Sequence, residues 1–319
     1  MSSDARLTAG MIEEARVVVR TFLAPTPLRE TRDGSKRRIF LKLESEQPTG
    51  SFKVRGALSN LARLPPTDAG FVAASAGNHG LGVAWAAKKC QRSEPVTIFV
   101  PGRAPATKIA KLRGFPIDLR LVGETFDDAE REAHIFERER GARFIHAYDD
   151  LLTAAGQGTL ALEVAAALES VGTMVIPVGG GGMISGAATW LKARRPDTKI
   201  VAVQPDASPS LAESIRLDRA LLEFAAGPTL ADGLAGGIGQ IVFNHRDLID
   251  EVVNVPEALI HAAIRSLYLE EGVRAEASGA ITRAALDLAQ SASWPEPIVC
   301  VISGGNIDEA VFESLLAGR

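Results

Sequence analysis

Lys53 stands where an apolar run of β character, Arg38-Ile-Phe-Leu-Lys-Leu-Glu44, gives way through Pro48-Thr-Gly-Ser-Phe to a helix-like stretch running toward Leu64. Pro48 and Gly50 mark the turn, and Ser51 is expected to cap the helix. A lysine in a first helical turn is electrostatically odd, because a helix N-terminus favours anions. Alone it reads as a solvated surface residue. Three further stretches change that reading: Ser75-Ala-Gly-Asn-His-Gly80, Pro177-Val-Gly-Gly-Gly-Gly-Met183 and Ile302-Ser-Gly-Gly-Asn306. Each follows a β-like run and precedes a helix-like one.

Gly179, Gly180, Gly181 and Gly182 follow the apolar run Met174-Val-Ile-Pro-Val178. Bare backbone at a helix start lets N–H groups approach an anion, which makes a phosphate cradle. The same residues also suit a tight strand-to-helix turn. The spacing is not a dinucleotide fingerprint after a first strand, and no Gly-Lys-Ser/Thr follows as in a nucleotide P-loop. A lysine beside such a cradle can serve as nucleophile and base. Its helix end and a nearby phosphate push its pKa in opposite directions, and the sequence leaves the sign open. Asn78 at a turn reads as a helix cap or as a ligand contact. Exposed N–H groups around it suit a carboxylate. His79 reads as structural, since the lysine already supplies a base. Ser303 reads as a cap or as a neutral hydroxyl partner.

Taken together and in this order, the four stretches resemble the fold-type II pyridoxal-phosphate enzymes, specifically the serine/threonine dehydratase and serine racemase family. The resemblance covers essentially the whole chain. It implies an α/β, tryptophan synthase β-like fold: two α/β domains with parallel-rich sheets and an active site in the cleft between them. It implies a small domain near residues 68–148 inserted into a large one formed by 1–67 and 149–319. It implies pyridoxal 5'-phosphate joined covalently to Lys53, with Phe52 against its ring. Gly179 to Gly182 and Met183 then hold its phosphate, Asn78 its 3-hydroxyl and Ser303 its pyridine nitrogen. A hydroxyl partner leaves that nitrogen largely unprotonated, which suits elimination better than transamination. Ser75, Ala76, Gly77, Asn78 and His79 are the implied substrate-binding segment. Glu276, in Ala-Glu-Ala-Ser-Gly279, matches a family carboxylate near the cofactor and receives no role here.

The chain also departs from parts of that family. The racemase branch carries a serine where Ala76 stands, so racemisation is disfavoured. The branch that binds a divalent cation carries carboxylates where Gln204 and Ser210 stand, and hard cations want several charged oxygens, so no metal is expected. No regulatory domain is expected before the chain ends at Arg319. The expected activity is a lyase that converts L-threonine or L-serine to a keto acid and ammonia. Leu230-Ala-Asp-Gly-Leu-Ala-Gly-Gly237 looks similar to dehydratases of hydroxyectoine breakdown, and 3-hydroxyaspartate lyases share the core motifs. These are alternative substrates. A non-catalytic ligand-binding protein on the same fold is the reading from another class, and Lys53, the glycines and Ser303 together argue against it.

The elements that must position these groups are legible as alternating strand-like and helix-like runs over 319 residues, which predict parallel sheets covered by helices. Expected helices include Thr8 to Arg20, Asn78 to Cys90, Phe126 to Arg140, Leu160 to Leu168, Met183 to Arg194 and Ser278 to Gln290. Expected strands include Val96 to Val100, Thr173 to Val178, Lys199 to Val203, Glu251 to Val255 and Pro297 to Ile302. The segment Phe224 to Gly239 reads as loop. A formal net charge of -4 argues against a nucleic-acid partner. Cys90 and Cys300 read as reduced core residues. No apolar run approaches the roughly 20 residues of a membrane span, and Met1 to Arg6 carries no signal core. The expectation is a cytoplasmic protein acting on a small amino acid, with a homodimer implied only by the resemblance.

Overall fold

Apolar runs bounded by glycine and proline fold as strands buried on both faces, the pattern of parallel sheets sandwiched between helices. The computed structural model describes residues 6–32 and 36–317; Met1 to Ala5, where the sequence shows no signal core, lie outside the described residues.

The chain begins with α1 (Ala9–Phe22), which Thr8 caps by accepting from the Met11 amide at 3.3 Å. Strands β1 (Leu28–Glu30) and β2 (Ile39–Leu43) pair antiparallel, and α2 (Lys53–Arg63) follows. Next come β3 (Phe71–Ala74), α3 (Asn78–Lys89), β4 (Val96–Pro101), α4 (Ala106–Arg113), β5 (Asp118–Val122), α5 (Phe126–Arg140) and β6 (Arg143–Phe144). The chain continues with α6 (Leu151–Ala167), β7 (Thr173–Pro177), α7 (Gly182–Arg194), β8 (Lys199–Pro205) and α8 (Ser210–Arg216). It ends with α9 (Gln240–Asn244), β9 (Glu251–Val255), α10 (Glu257–Leu269), α11 (Ala277–Ala284), β10 (Ile298–Ile302) and α12 (Glu309–Leu316).

Two sheets result. One has six strands in the order β1-β2-β10-β7-β8-β9, parallel except for β1; the other has four parallel strands in the order β5-β4-β3-β6. The α/β architecture with parallel-rich sheets is the one the sequence led us to expect. All four strands of the smaller sheet fall within residues 68–148. We propose that segment as the inserted domain, with 1–67 and 149–319 forming the larger one. Val54, Ala57, Leu58 and Leu61 of α2 share a core with Phe71, Ala73 and Ile98 of the smaller sheet, so α2 ties the two layers together.

Three loops that carry candidate chemistry leave the C-terminal ends of neighbouring parallel strands. Lys53 follows β2, Ser303 follows β10 and the glycine run follows β7, and these strands lie side by side. In open α/β sheets the crevice beyond those strand ends is where ligands bind. Ser75 to His79 follows β3 of the other sheet and faces them.

Several elements differ from expectation. Ser51 does not cap α2. It pairs with Gly304 in an antiparallel bridge, the Phe52 amide donates to the Ser303 carbonyl at 3.0 Å, and the Gly305 amide donates to Gly50 at 2.9 Å. This stapling of the two loops commits Ser51 to extended pairing, and the helix starts two residues later with no side-chain cap. Helix α6 begins at Leu151 rather than Leu160, capped by Asp150, which accepts from the Thr153 amide at 2.8 Å. Gly156 and Gly158 let α6 press against α2 and α7: a Cβ on Gly156 would lie 2.5 Å from the Arg55 carbonyl oxygen. The stretch expected as one helix to Gln290 is α11 followed by two 3-10 turns, divided where Leu288 turns extended. The segment 224–239 is loop apart from one 3-10 turn at Asp232–Leu234. Among the described residues, no helix is long and apolar enough to cross a membrane.

Candidate active site

Beneath α2 lies a charge network in which Lys42, Glu44 and Arg55 are buried and Glu163 is nearly so. Arg55 donates to Glu44 from Nε at 2.7 Å and from Nη2 at 2.8 Å, and to Glu163 from Nη1 at 2.7 Å and Nη2 at 2.8 Å. Lys42 reaches Glu163 at 2.6 Å and the Thr26 carbonyl at 2.7 Å. Two cations thus meet two carboxylates, which is the condition for tolerable burial of charge. Burial would raise the Glu44 pKa, but Arg55, Lys42 and the Thr26 hydroxyl hold it down at about 2. Arg55 stands two residues after Lys53, so the network fixes the turn from which Lys53 projects.

Lys53 opens a cavity of about 1590 Å³ between the two sheets. Its Nζ donates to the Ala147 carbonyl at 3.0 Å and lies 5.1 Å from the Phe52 ring and 5.9 Å from the Tyr148 ring. Burial of the amine lowers its pKa to about 8, against an opposing pull from Glu276. Desolvation is the largest cause. An amine so tuned exchanges its proton near neutrality.

Gly179, Gly180, Gly181, Gly182 and Met183 line the same cavity. Gly181 adopts φ 89°, a left-handed conformation, immediately before α7. A Cβ on Gly180 would stand 2.2 Å from the Tyr148 ring, and one on Gly182 would stand 2.6 Å from Gln157 Oε1. The glycines are therefore demanded by close packing, and they also bring the start of α7 to the cavity, where first-turn N–H groups lack helical partners.

Ser75, Ala76, Gly77, Asn78 and His79 line the facing wall. Asn78 does not cap α3; its Nδ2 donates to Glu276 Oε1 at 2.7 Å. Ser75 Oγ accepts from the Gly77 amide at 3.1 Å. His79 is buried, with Nε2 held by the Ile145 carbonyl at 2.8 Å, and burial together with the Lys53 charge lowers its pKa to about 3. It stays neutral. Ser303 is not a cap either; its Oγ donates to the Ser278 carbonyl at 3.1 Å, while Asp308 caps α12. Gln204, at the position compared with a metal carboxylate, is engaged at the start of α8, accepting from the Leu211 and Ala212 amides at 2.9 and 3.3 Å.

Sequence reasoning missed Tyr148 and Gln157. Gln157 Nε2 donates to Ala147 at 3.0 Å, and its Oε1 is buried with no protein partner. The one available signal was Gly156-Gln-Gly158, a polar side chain between two glycines inside a helix. Glu276 was noticed without a role. Burial and then Asp232 raise its pKa to about 7, opposed by Asn78 and Lys108.

The model of the family described as pyridoxal-phosphate dependent enzyme matches residues 19–304. The chain belongs to this family. Among relatives of this pyridoxal-phosphate dependent enzyme, an L-threonine ammonia-lyase of Thermotoga maritima is 40% identical over 305 residues, covering 94% of this chain and 74% of that one. A catabolic L-threonine dehydratase of Staphylococcus aureus is 36% identical over 315 residues, covering 95% and 90%. Among solved structures, the processed form of threonine deaminase isoform 2 from Solanum lycopersicum superposes with a TM-score of 0.90 at 31% identity, covering 98% of this chain and 91% of that one. A maize serine racemase superposes with a TM-score of 0.88 at 29% identity, covering 98% of both chains.

Proposed function

We propose that the protein is an ammonia-lyase that dehydrates L-threonine or L-serine to a 2-keto acid and ammonia. The observation that carries this reading is the meeting, in one cavity, of the Lys53 amine with the loops that follow β2, β7, β10 and β3. The names of relatives at 36–40% identity support threonine as the substrate. Pyridoxal phosphate fits the chemistry present: a lysine with a lowered pKa and, in the same cavity, an anion-suited helix start after a glycine run whose backbone approach a Cβ would block.

When bound, the cofactor supplies an electron sink for charge developing at the substrate's α-carbon. Lys53 Nζ would be the attachment point and, as a free amine, would be the base placed to take the α-proton. The Gly179 to Gly182 loop and Met183 would hold the phosphate, Phe52 would pack against the ring, and Asn78 would meet the ring hydroxyl. The amides of Ser75, Ala76, Gly77, Asn78 and His79 hold the substrate carboxylate at the start of α3, where bare N–H groups favour an anion. Ser303 would offer the pyridine nitrogen a neutral hydroxyl. Ala76 brings no proton to its side of the cavity, which favours elimination over racemisation. A cytoplasmic location and a homodimer are part of this reading; the homodimer rests on the family resemblance alone.

The test is ammonia release from purified, cofactor-loaded protein over a panel of hydroxy amino acids, with Lys53→Ala as control. Release from threonine or serine that vanishes in the control supports the reading. Cofactor binding with release only from larger or acidic hydroxy amino acids moves the substrate. That outcome would fit Leu230 and the Asp232 to Gly237 loop, which line the cavity. Cofactor binding with no release from any amino acid favours a ligand-binding protein.

A further inference from the structure

Asn306 was part of a sequence motif without an assigned task. In the structure it completes a chain of side chains across the cavity. Its Nδ2 donates to the Thr49 carbonyl at 2.8 Å and to Asn78 Oδ1 at 2.7 Å. A backbone carbonyl only accepts, so the Thr49 contact fixes which end of the Asn306 amide carries nitrogen. Lys111 Nζ, which only donates, lies 3.4 Å from Asn306 Oδ1 and agrees with that orientation. With Asn78 Oδ1 facing a donor, Asn78 Nδ2 must face Glu276, and it does, at 2.7 Å. Glu276 accepts whether ionised or protonated, because a protonated carboxyl keeps a carbonyl oxygen. Gly304 leaves room for it: a Cβ there would come 2.3 Å from Glu276 Oε1. Every polarity in the chain therefore follows from one backbone carbonyl. Asn78 Nδ2 has two N–H bonds and Glu276 takes one.

We infer that Asn306 and Glu276 are positioning residues that lock the Asn78 amide so that its second N–H is always presented to an acceptor oxygen on the ring of the bound cofactor. The inference rests on the proposed assignment of Asn78 to that oxygen. An unlocked asparagine would flip, and half of its orientations would turn a carbonyl oxygen on the cofactor's oxygen. The lock removes that alternative before the ligand arrives.

The test uses the full chain, stripped of cofactor and titrated with pyridoxal phosphate, in wild type, Asn306→Ala, Asn306→Asp, Glu276→Gln and Glu276→Ala. Three quantities are read: the Kd for the cofactor, the absorption maximum of the lysine-linked cofactor, and the thermal midpoint of the stripped protein. Asn306→Asp reverses the demand on Asn78 and is expected to raise Kd by about tenfold or more with a shifted band, the scale of a hydrogen bond lost at a charged group. Asn306→Ala merely frees the amide and is expected to raise Kd by about threefold, a fraction of one hydrogen bond. Glu276→Gln still offers an acceptor and should stay near wild type, whereas Glu276→Ala should resemble Asn306→Ala. The stripped midpoints order differently from the Kd values if the role is positioning. Equal Kd and band in wild type and Asn306→Asp overturns the relay, as does Kd loss that only tracks the midpoint. Wild-type protein that takes up no cofactor overturns the functional reading itself, and the relay with it.

Discussion

Lys53 and Gln157 share one acceptor: both donate to the carbonyl of Ala147, each at 3.0 Å. The amine that the proposed chemistry needs is thus parked on a backbone group, and a residue of α6 holds that group still. The arrangement gives Lys53 a resting place that it can leave at the cost of one neutral acceptor. Gln157→Leu removes the second donor and an amide oxygen that already lacks a protein partner. The expected loss in unfolding free energy is about 1 kcal/mol, because a carbonyl bonded by Lys53 is not left bare. Denaturant unfolding of the stripped protein measures it, and a loss several times larger would mean that Gln157 has a larger structural part.

The amine itself is open to titration. Burial lowers the Lys53 pKa to about 8 from the ordinary 10.5. Amine-selective labelling of stripped protein, followed by peptide mapping, should show Lys53 modified with a half-point near pH 8, well before the exposed lysines. The neighbouring carboxyl shifts the other way: Glu276 rises to about 7 from 4.5. Its folded pKa lies above its unfolded one, so the folded state binds the extra proton. Stability from this group is full below pH 4.5 and falls as pH rises toward 7. Glu276→Gln should remove that portion of the slope.

Glu44 gives the opposite sign. Its folded pKa of about 2 lies below the ordinary 4.5, so its contribution is present above pH 4.5 and is lost as pH falls toward 2. Breaking the network at one partner leaves Arg55 with less than its share of negative charge in a fully buried site. Glu44→Ala is expected to cost about 3–5 kcal/mol, the range for orphaning a buried charge. Thermal unfolding at neutral and acid pH measures both effects, and the variant should lose the part of the acid-side dependence that Glu44 contributes.

Gly180 tests the loop. An alanine there would set its Cβ 2.2 Å from the Tyr148 ring, which must move or push the loop away from α7. Gly180→Ala is expected to weaken cofactor binding by more than about tenfold, in line with the cost of overpacking a close backbone contact. Fluorescence titration of stripped protein reads this directly. Shortening the ring with Tyr148→Ala in the same chain should recover part of the affinity if the clash is the cause.

Much of the site could be read before the fold was known, because four glycine-marked loops each follow an apolar run and strand ends collect ligands. The α/β class followed from the same alternation. Other features had no local signature. Tyr148 reaches Lys53 and Gly180 only because the end of the smaller sheet leads into α6 beneath the glycine loop. Asn306 meets Asn78 across 228 residues of chain. Ser51 fits the composition of a helix cap, yet its backbone is claimed by Gly304, which only the neighbouring positions of β2 and β10 reveal. The early start of α6 was hidden by Gly156 and Gly158, which weaken a helix in isolation and here permit three helices to touch.

The central claim is that one amine, that of Lys53, carries the cofactor. Borohydride reduction of cofactor-loaded protein followed by peptide mass mapping tests it most directly. The account predicts a single pyridoxyl adduct on Lys53, absent from Lys53→Ala protein. An adduct on another lysine, or loaded protein with none, would contradict it.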